Sequence, residues 1–277
     1  MKFQKEYRYI GKATPRKDAV GIVTGKAQYI DDLELPRMLH GKVLRSPYPH
    51  ARIKQIDTTG AEKSRGVKAV LTYKNVPRWM TGTPRHVRVL DEKVRYVGDA
   101  VALVAAETEA MARDALALIE VTYEQLSAVY DVEDALKSDA PQLYDDFPGN
   151  LLPLDVPVFG PNTLSAIELG DVEKGFADSD FISEGTFSYE NIPNPLPIES
   201  PGVIADWSDP DHLTVWSAIQ CTSWHRYMMV PRMGFPDIRT IGTQCGGSFG
   251  SKNYSVQPML YAAALAQATG RDRKSVV

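Results

Sequence analysis

The order of apolar and polar positions predicts a chain of short strands and helices. Ala100–Ala106 is continuously apolar, as expected for a strand buried on both faces. Residues 107–119 predict a helix that Thr108 can cap. Three apolar positions fall on one face of that helix: Met111, Ala115 and Leu118. Residues 120–126 alternate in polarity, so a second strand follows and the three elements form one compact unit.

Further short runs predict additional elements on both sides of this unit. Strands are expected at 38–44, 51–56, 66–72, 181–189, 202–207, 212–219 and 238–241. Ile53 and Ile56 are candidate core residues of the second of these. Helices are expected within 168–176, around Trp224 and at 257–268. This mixture of helices and strands predicts an α+β fold.

Changes in composition suggest four segments. Residues 1–18 are basic and polar and predict an extended arm suited to pairing with a partner chain, and residues 24–32 predict a turn with a short extended piece. Five prolines recur over a short stretch: Pro141, Pro148, Pro153, Pro157 and Pro161. They indicate a linker at 131–165 between a first domain at 19–130 and a second at 166–277. Val276 and Val277 are candidates for the start of another strand.

Composition narrows the possible functions. The 277 residues are 43% hydrophobic and 24% charged, with a formal net charge of -4 and a pI near 5.8. These values are ordinary for a globular protein and give no sign of a nucleic-acid surface. There is no signal-peptide pattern at the start and no apolar run long enough to span a membrane, so we expect a cytoplasmic location. The two cysteines, Cys221 and Cys245, are expected to be small buried residues rather than a disulfide or zinc pair.

The segment with the clearest chemical content is 244–252, Q-C-G-G-S-F-G-S-K, which we call the glycine loop. It lies between a predicted strand and a predicted helix, an arrangement that suits an anionic cofactor and is about as often only a tight turn. Its G-G-x-x-G order does not match a dinucleotide fingerprint. Lys252 is followed by Asn253, so a P-loop is not matched either. NAD and ATP are therefore poor candidates.

Four blocks of sequence together resemble one family. Residues 24–32 (T-G-K-A-Q-Y-I-D-D), 44–53 (L-R-S-P-Y-P-H-A-R-I), 96–102 (Y-V-G-D-A-V-A) and the glycine loop occur in the order found in the molybdenum-binding subunit of the xanthine dehydrogenase and aldehyde oxidase family. The resemblance implies an α/β-hammerhead domain followed by the first part of a molybdopterin-binding α/β domain. The family's loop has the form G-G-G-F-G-G-K, so Ser248 and Ser251 stand at two of its glycine positions.

The resemblance also implies an activity, cofactors and partners. Members are molybdopterin-dependent oxidoreductases with a molybdenum-oxo-sulfido centre, which hydroxylate aldehydes, N-heterocycles or related aromatic compounds with water as the oxygen source. Some relatives instead oxidise carbon monoxide or reduce an aromatic thioester. Electrons pass to iron–sulfur clusters and FAD on partner subunits or domains. The expected partners are therefore an iron–sulfur subunit, an FAD subunit, a C-terminal molybdopterin-binding half and a small-molecule substrate, with no nucleic acid and no membrane.

The resemblance assigns site residues by position. The residues expected to contact the cofactor are Gln220, Gly246, Gly247, Ser248, Phe249 and Gly250. Gln220 matches a strand-end glutamine that donates to a molybdenum oxo group, and an amide does this without adding charge. Substrate contacts fall to Phe249 and Asn253, and Asn253 stands where purine oxidisers have an acid, which weakens xanthine as the substrate. Glu199 keeps the acid of a family His-x-x-x-Glu pattern in which Pro195 replaces the histidine, and a surface acid is an equal alternative.

No catalytic residue and no metal ligand is expected in these residues. In the family the general base is a glutamate in a second molybdopterin-binding domain, which this sequence lacks. We therefore expect an N-terminal portion that is inactive alone. Two alternatives remain open at this stage. One is a truncated, non-catalytic fragment that folds without cofactor, and the other is an unrelated phosphate-binding module.

Overall fold

The computed structural model describes residues 7–81, 87–151, 169–187, 195–253, 256–270 and 273–276. These residues form a mixed α+β structure, as predicted. The strands are β1 Leu39–Arg45, β2 Ala51–Asp57, β3 Val67–Thr72, β4 Met80–Thr81, β5 Val87–Arg88, β6 Lys93–Val94, β7 Ala100–Ala106, β8 Glu120–Gln125, β9 Gly202–Asp209, β10 His212–Ser217, β11 Ile238–Gly242 and β12 Arg273–Val276. The helices are α1 Ala19–Val23, α2 Thr59–Glu62, α3 Glu109–Leu116, α4 Val132–Ala135, α5 Val172–Ala177, α6 Thr222–Met233 and α7 Val256–Thr269.

One seven-stranded sheet unites the two halves of the chain. Its order is β11-β10-β9-β12-β1-β7-β3, so strands from residues 39–106 and from residues 202–276 share one set of hydrogen bonds. β12 joins the halves because it pairs parallel to β1 and antiparallel to β9. A separate sheet, β6-β2-β8, and a two-stranded ribbon, β4-β5, complete the described strands.

β7 is the central strand of the first half, and it is buried on both faces. Its seven residues are at most 3% exposed. Leu103 and Ala105 pack into a core that includes α7, whereas Ala102, Val104 and Ala106 pack into a core that includes α3 and β2. The continuous apolar run predicts this arrangement, because a strand between two layers has no solvent face. Ile53 and Ile56 lie in the second core, as expected.

The helix after β7 begins as predicted and ends earlier. Thr108 is its N-cap, and its side chain accepts a hydrogen bond from the Met111 N–H (3.2 Å). α3 ends at Leu116, and its buried residues are Ala112 and Ala115. The prediction that Leu118 lies on the apolar face of this helix was wrong, because Leu118 follows the end of the helix and is 48% exposed.

α7 differs from α3 because it is apolar around its whole circumference. Tyr261 and the five residues after it are at most 3% exposed. The helix packs against β9 and β12 as well as β3 and β7. Its run of alanines suits close packing on the sheet. The helix lies directly behind the glycine loop and the 3₁₀ turn Ser251–Asn253.

Two of the sequence blocks that carry the family resemblance contact each other. The Arg45 guanidinium donates to the Gly98 carbonyl (2.9 Å), and the backbone of Ser46 bonds to both Gly98 and Asp99 (2.8 Å each). Gly98 has φ 96°, a conformation that favours glycine. The Asp99 carboxylate accepts from the Arg95 N–H (3.0 Å). These bonds join the segment after β1 to the turn before β7, and the two strands are neighbours in the seven-stranded sheet.

The described part of the predicted linker packs on the first half. The Lys93 ammonium donates to Asp145 (2.7 Å), and the Arg95 side chain donates to the Leu143 carbonyl (2.8 Å). The Arg95 guanidinium also lies over the Tyr144 ring, 4.3 Å from its centroid. Residues 152–165 of the predicted linker lie outside the described residues.

Several sequence predictions need correction. Residues 181–187 have no regular secondary structure, so the strand expected there is wrong for the part that the structure describes. The N-terminal region contains α1 and a 3₁₀ turn at Ile30–Asp32, where a turn and an extended piece were expected. The last strand begins at Arg273, before the valines that suggested it. No helix among the described residues combines the length and apolar character needed to cross a membrane.

Candidate functional site

The topology brings three separate segments to one edge of the seven-stranded sheet. β10 and β11 are parallel neighbours, so the segments after them, which contain Gln220 and the glycine loop, leave the sheet at the same edge. β9 is antiparallel to β10, so Glu199, just before β9, lies at that edge too. Ligands in open α/β sheets bind outside the carboxyl ends of the strands. The predicted site therefore has the placement expected of a ligand site.

Gln220 contacts the glycine loop directly. The Ser248 hydroxyl donates to Gln220 Oε1 (2.9 Å), and Ser248 Oγ accepts from the Lys252 N–H (3.3 Å). Ser248 is 9% exposed, whereas Gln220 is exposed. The amide nitrogen of Gln220 makes no hydrogen bond with another described residue. Its donors are thus available to a ligand at this edge.

Glu199 and Lys252 form a buried ion pair at the base of the loop. Their side chains are 11% and 1% exposed, and Lys252 Nζ donates to Glu199 Oε2 (2.7 Å). The same oxygen accepts from the Gly246 N–H (2.7 Å). One carboxylate therefore holds both ends of the loop. This contact decides against the view of Glu199 as a surface acid, which the sequence left as an equal alternative.

The glycines of the loop serve different purposes. A Cβ at Gly246 would lie 2.7 Å from the Cβ of Glu199, so this glycine permits the close approach of the glutamate. At Gly247, φ is 104° and a Cβ would lie 3.2 Å from Pro197 Cβ. Gly250 has φ 93° and nothing within 4 Å of a Cβ position. Of the three, Gly250 thus has open space beside its backbone, where a ligand can approach.

The two residues expected to contact substrate differ in exposure. Phe249 is 74% exposed and has φ 49°, an uncommon conformation for a residue with a side chain. Its ring therefore projects from the loop. Asn253 lies in the 3₁₀ turn behind it, and its Oδ1 is buried with no hydrogen-bond partner among the described residues. The structure brings Phe249, Ser248 and Gln220 together, and it leaves the Asn253 oxygen inside the protein.

Two carboxylates contact the loop among the described residues, and both are ion-paired. Glu199 is paired with Lys252. Asp18 accepts a hydrogen bond from the Gln244 side chain (3.4 Å) and pairs with Arg16. Arg16 lowers the pKa of the Asp18 carboxyl below its usual range. Within the described ranges, no group of three or more His, Cys, Asp or Glu side chains is arranged to hold a metal ion.

His225 is a buried polar residue beside the glycine loop that the sequence analysis did not single out. It lies on α6, it is fully buried, and its Nδ1 is 2.9 Å from the Cys221 carbonyl oxygen. Burial lowers the pKa of the imidazole, although the backbone carbonyl of Cys221 and the nearby backbone of Lys252 act in the opposite direction. Nε2 has no hydrogen-bond partner among the described residues. A histidine on an otherwise apolar helix face was the available signal.

The expectation of two buried cysteines was wrong. Cys221 is exposed, and Cys245 is half-buried, with its thiol donating to the Gly247 carbonyl (3.3 Å). Cys221 is the N-cap of α6, and its Sγ is 3.4 Å from the Ser223 hydroxyl. The Ser223 hydroxyl, together with backbone N–H groups of the helix, lowers the pKa of the Cys221 thiol.

Family models match both halves of the chain. Residues 24–127 match the aldehyde oxidase and xanthine dehydrogenase a/b hammerhead domain, and residues 157–276 match the molybdopterin cofactor-binding domain. The sheet edge described above lies in the second of these. The chain therefore belongs to the xanthine dehydrogenase and aldehyde oxidase family of molybdenum-binding subunits, and it comprises the hammerhead domain and a molybdopterin cofactor-binding region.

Individual relatives agree with this assignment. The chain is 40% identical over 265 residues to a probable xanthine dehydrogenase subunit of Bacillus subtilis (strain 168), covering 94% of this chain and 34% of that protein. It is 32% identical over 259 residues to the nicotinate dehydrogenase large molybdopterin subunit of Eubacterium barkeri, covering 91% and 58%. The chain thus spans between about a third and three fifths of these two proteins.

A solved structure shows the same fold. The Cu,Mo-CO dehydrogenase in its carbon monoxide reduced state superimposes with a TM-score of 0.82 at 32% identity, covering 96% of this chain and 35% of that chain. The chain therefore shares its fold with the matching part of that structure.

Proposed function

We propose that this chain binds a molybdenum–molybdopterin cofactor at the sheet edge where Gln220 meets the glycine loop. The observation that carries the proposal is the contact between Ser248 and Gln220, since it joins the two predicted cofactor elements into one surface. The residues present fit such a group. Gln220 offers uncharged amide donors, and the Gly250 backbone has open space beside it. An oxo group accepts hydrogen bonds and needs donors of this kind.

The protein to which this chain contributes is proposed to be an oxidoreductase that hydroxylates an aldehyde, an N-heterocycle or a related aromatic compound. When bound, the cofactor supplies two-electron redox chemistry with water as the source of oxygen. The side chains of this chain bind and orient: Gln220 donates to the cofactor, and the exposed Phe249 ring packs against a planar substrate. Asn253, buried at Oδ1, can reach a substrate only through its amide nitrogen.

We propose that the catalytic base and most of the cofactor contacts come from polypeptide outside these 277 residues. The two carboxylates that contact the loop among the described residues are each engaged by a cation, Glu199 by Lys252 and Asp18 by Arg16, and these contacts give both a structural role at the loop. This supports a C-terminal molybdopterin-binding half as a partner, with iron–sulfur and FAD subunits or domains as electron acceptors. This chain alone is then expected to be inactive.

The test uses the enzyme purified from its native host with all copurifying chains. Metal and pterin analysis should find stoichiometric molybdenum together with iron–sulfur and flavin partners. Replacing Gln220 with Ala should lower kcat by about 100-fold, the usual effect of removing a donor to a developing oxyanion, while molybdenum content stays near that of the wild type. Gln55→Ala on the exposed face of β2 is the matched control and should change neither quantity.

Other results would contradict the proposal in identifiable ways. Loss of molybdenum with unchanged kcat per molybdenum in Gln220→Ala refutes the role given to the amide. Absence of molybdenum and of partner chains supports a folded fragment without cofactor. Tight binding of a simple nucleotide at the loop supports an unrelated phosphate-binding module.

A further inference from the structure

Ser248 connects the glycine loop to Gln220 through its hydroxyl group alone. Oγ accepts the Lys252 N–H (3.3 Å), and the hydroxyl proton is donated to Gln220 Oε1 (2.9 Å). The side chain is only 9% exposed, so water has little access to replace these contacts. The loop that this sequence resembles has glycine at this position, and a glycine cannot make either bond.

These two bonds determine which end of the Gln220 amide faces outward. A hydroxyl has one proton to donate, and a primary amide presents an acceptor at one end and two donors at the other. Because Oγ already receives the Lys252 N–H, its own proton needs an acceptor, and Oε1 supplies it. With the amide reversed, Oγ would face a second N–H group and its proton would lose this acceptor. The observed arrangement leaves Nε2 without a hydrogen bond to another described residue.

The position of the hydroxyl is itself held by the buried ion pair. Lys252 Nζ is bound to Glu199 Oε2 (2.7 Å), and the same oxygen holds the Gly246 N–H (2.7 Å). The Ser251 N–H and hydroxyl both donate to the Ser248 carbonyl (2.9 and 2.7 Å). Backbone movement at Ser248 is therefore restricted on both sides. The hydroxyl is presented to Gln220 from a rigid support, which is what a positioning group requires.

We propose that Ser248 is a positioning residue that fixes the Gln220 amide with its Nε2 donors toward the cofactor. The effect of Ser248 on catalysis rests on the proposed function, whereas its effect on the orientation of the Gln220 amide does not. Ser248 acts through Gln220 and needs no contact with the reacting atoms. Without its hydroxyl, the amide loses the donor that holds Oε1 on the side of the loop, and a reversed amide places an acceptor oxygen against the acceptor oxo group.

The first test is the orientation of the amide in the whole enzyme. Neutron diffraction from deuterium-exchanged crystals distinguishes the ND₂ end of a glutamine from its oxygen. In the wild type we expect the Ser248 hydroxyl deuteron to point at Gln220 Oε1 and the ND₂ group to face away from Ser248. In Ser248→Ala we expect a reversed or mixed amide. An ND₂ group that faces Ser248 in the wild type, or an unchanged amide in Ser248→Ala, overturns the proposal.

The second test is a double-mutant cycle on kcat. Ser248→Ala should lower kcat about tenfold in the wild-type background and leave it unchanged in the Gln220→Ala background, because the residue acts through the amide. Molybdenum content should not change in either background. An equal tenfold loss in both backgrounds shows a merely structural role. The matched control is Ser208→Ala, which removes a hydroxyl bonded to Asp206 at the far end of the β9–β10 hairpin and should have no effect.

The two tests separate this inference from the proposed function. If the purified enzyme contains no molybdenum, the proposed function fails, while the diffraction experiment still reports the amide orientation in both proteins. If molybdenum is present and the amide is unaffected by Ser248→Ala, the proposed function stands and the role of Ser248 is refuted.

Discussion

The β7–α3–β8 unit and the edge that carries the glycine loop are held together by different kinds of contact. In the first region, apolar side chains pack on both faces of β7. The N-cap of α3, Thr108, bonds to Met111, which is only three residues further along the chain. In the second, the bonds that define the site join residues far apart in sequence: 28 positions for Ser248 and Gln220, 47 for Gly246 and Glu199, and 53 for Lys252 and Glu199.

This difference explains where sequence patterns are informative. Periodic burial is a local property, so it can be read over a few residues. A polar network becomes satisfied only after the sheet has placed its members side by side, and each member is costly to bury without the others. The first region should therefore respond modestly to loss of one local bond, and the second strongly to loss of one distant partner.

The largest effect is expected from Lys252→Met. The change leaves the Glu199 carboxylate buried without its cation, and breaking a buried pair in this way costs about 3–5 kcal/mol of unfolding free energy. Urea denaturation of the chain measures it. The control is Lys54→Met, which breaks an exposed pair with Glu124 and should cost less than about 1 kcal/mol. Equal costs for the two variants would show that burial of the site pair is unimportant.

A smaller effect is expected at the cap of α3. Thr108→Ala removes the side-chain oxygen that accepts the Met111 N–H and should lower the free energy of unfolding by about 1 kcal/mol. Thr108→Ser keeps an acceptor at the same position and should stay within about 0.5 kcal/mol of the wild type. If both substitutions destabilise equally, the cap is not the source of the effect.

The smallest effect is expected from pH, through His225. Its folded pKa is lowered from the ordinary value of 6.5, so below that pH the unfolded chain binds a proton that the folded chain does not. Stability should therefore be fully present above about pH 6.5 and decline as the pH falls below it. Urea midpoints measured between about pH 5 and 7, a range in which ordinary carboxyl groups stay largely ionised, test this. His225→Gln should flatten the decline, and an equal slope in that variant assigns it to other groups.

Sequence alone determined the elements whose signal is local. The bounds of β7 were predicted to the residue, Thr108 was identified as the cap of α3, and α6, α7 and the strands β9, β10 and β11 were placed within a few residues. Ordered motifs also indicated the family, because four blocks of sequence resemble its patterns and occur in the same order along the chain. The segment 181–187 shows the limit, since its alternating polarity has no sheet partner in the described structure.

Only the tertiary structure decided which strands pair and which side chains contact each other. β12 pairs with both β1 and β9, so the two halves of the chain share one sheet. The sequence of β12 does not predict which strands it pairs with. Burial of the Glu199–Lys252 pair, the contact between Ser248 and Gln220, and the exposure of Cys221 follow from which strand ends meet at one edge. Alternating polarity predicts which face of a sheet each residue occupies. Strand order and register decide which side chains meet on that face, and both are set by contacts between residues far apart in the chain.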